Sequence, residues 1–112
     1  MIDVEAIRIS SGAMVKPDAI AEIELIPTND GGRQGPTNDD QLRCPMLYRG
    51  KLYDVILLLG KVGSIAPGER KAGIPLKFLS PELVAGRIGP GDIFALRELR
   101  VIAFGKFTQV FI

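Results

Sequence analysis

At 112 residues, 46% of them apolar, the chain has the size of one domain with a single core that needs no staples. It has no histidine and one cysteine, Cys44. That excludes an intramolecular disulfide, a Ser–His or Cys–His catalytic pair and a zinc site of the usual ligand set, and it makes a reducing, cytoplasmic compartment the default. The net charge of +1 conceals a split: residues 1–40 carry eight acids and three bases, residues 41–112 eleven bases and five acids.

Ile2 to Ile9 alternates loosely and fits either a first strand or a weak helix, ended by Ser10-Ser11-Gly12. No basic segment followed by an apolar run stands at the N-terminus, so no signal peptide is expected. Ala19 to Ile26 predicts a strand with Ala21, Ile23 and Leu25 facing inward, because that face is wholly apolar. Pro27 to Gln41 is polar and rich in turn residues. It can bury almost nothing and is expected to be a long surface loop, functional or mobile. Leu42–Tyr48 and Leu52–Leu59 predict a hairpin across Arg49-Gly50-Lys51. Val55 to Leu59 is apolar on both faces, so it needs cover from the N-terminal segment, another domain or a second subunit; it is too short to span a membrane.

Ala66-Pro67-Gly68-Glu69 predicts a turn and Lys71–Leu79 a strand, which Pro75 places at a sheet edge or at a bulge. Ser80-Pro81-Glu82-Leu83 predicts one helical turn with Ser80 as its cap. Gly89-Pro90-Gly91-Asp92 is a further turn, and Ile93–Arg97 with Val101–Phe111 forms the last hairpin. Short strands, tight turns and almost no helix define an all-β class: a small closed or nearly closed antiparallel barrel of about six strands with one short helical turn. Residues 19–112 would form the barrel, and residues 1–18 an extension or extra strand of the same domain.

Four motifs add a family resemblance. Gly31-Gly32-Arg33-Gln34-Gly35-Pro36, Arg43-Cys44-Pro45-Met46-Leu47-Tyr48-Arg49, Pro67-Gly68-Glu69 and Phe94-Ala95-Leu96-Arg97-Glu98 stand in this order along the chain. Together they resemble the third domain of the elongation factor Tu class of translational GTPases, over about four-fifths of the length. The resemblance implies a β-barrel, and for the full factors it implies tRNA contact through the loop arginine, the residue after it and the Arg-Glu-Gly corner. Arg33 and Glu98 keep those positions; Gln34 replaces the family's histidine, and Leu99-Arg100 follows where a glycine turn is usual. No phosphate loop is present, since Gly60-Lys61-Val62-Gly63-Ser64 has the wrong spacing, so neither nucleotide nor other cofactor is expected.

Arg33 on its glycine-flanked loop either offers a planar donor fork to phosphate or carboxylate, or folds back to tie the loop to an acid such as Glu98. Arg43, Arg49, Arg97 and Arg100 would extend a basic patch for tRNA or rRNA if they share one face, with Tyr48 and Tyr53 as the nearest stacking residues. Charges on alternate strand positions that only solvate an outer surface are the commoner arrangement. Asp30, Asp39 and Asp40 match no calcium loop and read as solvated acids, and Cys44 reads as an inert thiol. The expected function is a non-enzymatic interaction module that binds a protein partner or itself, with no metal and no membrane. The alternative is an RNA-binding accessory that uses Arg33, Gln34, Arg43, Arg49, Arg97, Glu98 and Arg100.

Overall fold

Alternation decides which residues become the inside. The computed structural model describes residues 7–8 and 14–112. In it β3 (Ala19–Leu25) buries Ala19, Ala21, Ile23 and Leu25 and turns Glu22 and Glu24 outward. β4 (Gln41–Tyr48) buries Leu42, Cys44, Met46 and Tyr48. Strand β5 (Lys51–Leu58), β6 (Arg70–Phe78), β7 (Ile93–Arg97) and β8 (Val101–Val110) follow. A strand apolar on one face must cover that face, and six such strands do so by curling into a ring. The result is a closed antiparallel barrel in the order β3-β6-β5-β4-β7-β8, with β8 returning to β3. The expected element at Ile2–Ile9 falls mostly outside the described residues. Of it, Ile7–Arg8 forms β1, paired antiparallel with β2 (Met14–Val15) in a separate two-stranded sheet.

The interior is centred on Phe107, which is fully buried, with Phe94, Phe78 and Tyr48 around it at centroid distances of 4.7, 6.4 and 6.3 Å. Gly105 makes this possible. It is paired with Phe94 across β7 and β8, and a Cβ there would lie 2.3 Å from the Phe94 ring. A strand glycine of this kind marks a close approach that no larger residue permits.

Two expectations change and two sets of alternatives narrow. Of the edge or bulge expected at Pro75, the edge is absent, because the ring has none. Pro75 is the first residue past the β5 ladder, which ends at the Leu57–Leu76 pair, so its missing N–H falls beyond that ladder. A register shift opposite Ala21 and Ile23 lies just before it, with Gly73 at φ 71°. The segment before β4 does bury residues. Gly32 and Thr37 are buried, and Thr37 exchanges hydrogen bonds with Ile65 through its N–H (3.0 Å) and its hydroxyl oxygen (2.9 Å). Val55–Leu59, expected to take cover from the N-terminal segment, another domain or a second subunit, is buried within this one chain apart from half-buried Ile56; Leu58, which points away from the core, is 2% exposed. Pro81–Leu83 is a helical turn of 3-10 type, but the Ser80 side chain does not cap it. A second such turn spans Thr28–Asp30.

Substituting the ring at the centre tests this account. Phe107→Ala should cost about 3–5 kcal/mol in urea unfolding. Gly105→Ala, which adds one methyl to an exact fit, should cost about 1–3 kcal/mol although it removes nothing. A neutral Gly105→Ala would show that Phe94 has room to move.

Candidate functional site

The strands run alternately between two barrel ends, and the candidate residues divide between them. One end gathers the connections 26–40, 59–69 and 98–100. Here Gly31 adopts φ 94°, and Gly32 approaches the Ile26 carbonyl so closely that a Cβ would overlap it. These glycines therefore fix the path of the loop. The path delivers Arg33 to Glu98 at the end of β7. Arg33 Nη1 donates to Glu98 Oε2 at 2.7 Å, and Nε donates to the Gly35 carbonyl at 3.4 Å. The Thr28 hydroxyl donates to the Arg33 carbonyl at 2.6 Å. The tie expected for Arg33 is thus present, with one arm of the fork, Nη1, on the carboxylate. An open cleft of about 580 Å³ lies beside this pair, lined also by Gln34, Arg100 and Ile102. Leu99 stands at the tip of the turn, 98% exposed. Arg97 and Arg43 are exposed on β7 and β4 outside the cleft.

Arg49 belongs to the other end. It forms the hairpin turn with Gly50, and its guanidinium lies 5.2 Å from the Tyr48 ring centroid and 3.9 Å from Asp92 Oδ2. The Tyr48 hydroxyl donates to Asp92 Oδ2 at 2.7 Å and also lies 3.1 Å from the Arg87 carbonyl; the Gly89 N–H donates to the same Asp92 oxygen at 3.0 Å. These donors hold the Asp92 carboxyl below the usual carboxylate range, the Tyr48 hydroxyl most of all. Burial, then the bond to Asp92, pushes the Tyr48 hydroxyl up. The sequence-predicted residues thus form no single face: Arg33, Gln34, Glu98 and Arg100 come together, and Arg49 lies at the opposite end.

Burial pushes the Cys44 thiol up to about 12, with Glu98 raising it further and Arg33 opposing, so no thiolate nucleophile exists near neutrality. Among the described residues no group of three or more carboxylate or thiol ligands could hold a metal ion. None of their helices is long and apolar enough to cross a membrane.

One feature escaped sequence reasoning. On the outer surface Leu52 of β5 pairs with Leu47 of β4, Leu47 with Ala95 of β7, and Ala95 with Phe104 of β8. This row crosses four strands: Leu52 is 51% and Phe104 57% exposed at its two ends, Leu47 is half-buried and Ala95 buried between them, and Ile93, two residues along β7 on the same face, is 75% exposed. The signal was present in the outward positions of β4, β5, β7 and β8, but only the register aligns them. No protein-family model matches the chain, and a search of curated proteins finds no match.

Removing either partner of the Arg33–Glu98 pair should lower stability modestly, because both groups are part-exposed. A double-mutant cycle of Arg33→Ala and Glu98→Ala should give a coupling of about 1 kcal/mol or less. A coupling near zero would show that the loop is held by its glycines alone. At the other end the folded-state carboxyl of Asp92 titrates below its unfolded value. Its stabilisation is therefore complete above the ordinary carboxylate range and is lost as pH falls through the folded value. The stability difference between about pH 7 and about pH 3 in urea titrations should shrink in Asp92→Asn. An unchanged difference would mean that other carboxylates carry it.

Proposed function

We propose that the chain is a non-catalytic binding module, working in the cytoplasm, whose outer β5-β4-β7-β8 face docks an acidic protein segment bearing apolar anchors. The observation that carries this reading is the exposed set Leu52, Phe104 and Ile93, aligned in register across half-buried Leu47 and buried Ala95. Exposed apolar residues are ordinarily scattered, and a contiguous patch marks a contact surface. The outward positions of β4, β7 and β8 also carry the bases Arg43, Arg97 and Lys106, against one acid on the face, Asp54 of β5, opposite Pro45. On the adjoining β3, Glu22 and Glu24 are turned to Arg70, at 3.9 and 3.3 Å. An apolar centre with a basic rim complements a segment of opposite charge. A second copy laid face to face would oppose like charges. The motif order that resembles domain three of the elongation factor Tu class supports a binding role. Engagement of Arg33 by Glu98 argues against carrying over that family's RNA contact.

Selection of displayed random peptides on the immobilised protein tests the reading. Acidic sequences with two or more large apolar residues should be enriched. The selected peptides should lose affinity about tenfold or more for Leu52→Ser/Phe104→Ser, a variant that exposes no new surface and should melt like the parent. Enrichment without acidic character, or affinity that survives the double change, would reject the reading. So would concentration-dependent dimerisation that the double change abolishes. Binding of tRNA that survives about 150 mM salt and is lost on reversing Arg43, Arg97 and Arg100 would replace it with the RNA reading.

A further inference from the structure

The barrel end that carries Arg49 holds a feature that the proposed docking face does not use. Arg49 and Gly50 link β4 to β5 in a two-residue turn with φ of 50° and 79°. Such turns take Asn or Gly at their first position, because a side chain at positive φ is strained. Among the described residues Arg49 is the one non-glycine residue at positive φ. Strain of this kind is retained where a side chain is needed in place. The turn sets the guanidinium over Tyr48, at the rim of a cleft of about 410 Å³.

Three cations meet in this cleft: Arg49 from the turn, Lys51 from the first position of β5, and Arg87 from the connection between β6 and β7. Tyr53, partly exposed, supplies an apolar wall, with Val84 buried behind it. The nearest carboxylate, Asp92, spends its Oδ2 on the Tyr48 hydroxyl and the Gly89 N–H and stands 3.9 Å from Arg49. Lys51 and Arg87 make no ion pair among the described residues. The Tyr48 hydroxyl also lies 3.1 Å from the Arg87 carbonyl, so the backbone that carries Arg87 is fixed relative to the turn that carries Arg49. Three positive side chains on two pinned segments and a strand, with one partly engaged carboxylate at their edge, leave an unbalanced positive field in a concave site.

We infer that this cleft binds a small phosphomonoester: the phosphate is held by Arg49, Lys51 and Arg87, and the apolar or aromatic body of the ligand lies against Tyr53. A dianion suits the site better than a carboxylate, because three oxygens can accept from separate cationic donors at once. The cleft shares no lining residue with the docking face, so it stands or falls independently of it.

Amide chemical shifts followed by NMR during titration with phenyl phosphate, inorganic phosphate and benzoate test this. Phenyl phosphate should give saturable shifts confined to residues 48–53 and 84–92. Inorganic phosphate should bind more weakly at the same residues, and benzoate weakest. Lys51→Gln and Arg87→Gln should each weaken phenyl phosphate by about tenfold, the loss of one charge-assisted hydrogen bond. Arg49→Asn, which suits the turn, should keep or raise the melting temperature while weakening the ligand by a similar factor. Equal affinity for inorganic and phenyl phosphate would remove the apolar wall from the proposal and overturn it as stated. So would the absence of saturation up to about 10 mM ligand, shifts that spread to Arg97 and Arg100, or an Arg49→Asn variant that loses stability but not affinity.

Discussion

Closure of the ring at β3 is the constraint on which the rest of this structure depends. β3 pairs with β6 on one side and with β8 on the other, joining segments nearly the whole chain apart. Asp18, buried just before the strand, fastens the seam from both sides. Its N–H donates to the Leu76 carbonyl, its carbonyl accepts from the Phe111 N–H, and its carboxylate accepts from the Phe78 N–H and the Lys77 ammonium. Contacts so distant in sequence must offset a large loop-closure entropy before they stabilise anything. The carboxylate is held by β6 and the backbone of the same residue ties β6 to the end of β8, so opening the seam strands a buried charge. With the seam shut, the barrel leaves no strand edge for other chains to pair with.

Closure also separates the roles of the two surfaces. Every inward position is consumed by the core around Phe107, so whatever the protein binds must meet outward side chains or the loops at the ends. An outward apolar residue in a closed barrel has no second sheet to cover it, unlike the same residue in a sandwich. Leu52, Phe104 and Ile93 are therefore surplus to folding, in contrast to Leu58, which the chain covers itself. That contrast separates an apolar residue the fold uses from one it merely displays.

Much of the barrel was legible because its signals are local. Alternation in β3 and β4, the Pro67-Gly68 turn and the Arg49-Gly50 hairpin each specify geometry within a few residues. The Arg33–Glu98 tie was legible as a possibility because the two lie in motifs of known order, although 65 residues separate them. What stayed hidden is what the register alone creates. Nothing in β5 announces that Leu52 will stand beside Leu47, or that the row continues through Ala95 to Phe104. Gly105 likewise looks like a weak point in a strand until Phe94 is placed opposite it. The loop before β4 was read as unable to bury anything because its composition is polar. Polar residues can be buried when they are bonded, as Thr37 is to Ile65.

The two barrel ends show how similar residues come to differ in use. Arg33 and Arg49 both sit in glycine-containing turns, and both would be classed as exposed basic loop residues from composition. Arg33 meets a carboxylate at 2.7 Å, and its loop is fixed by a glycine that tolerates no Cβ. Its charge is largely answered within the fold, and what remains is a brace. Arg49 meets its nearest carboxylate at 3.9 Å, and that group already accepts from a hydroxyl and an amide. An arginine that is strained, stacked on Tyr48 and incompletely neutralised gives the fold little in return for its conformation. At equal net charge, the site able to attract an anion is the one whose counter-ion is already engaged, and here that site is the Arg49 end of the barrel.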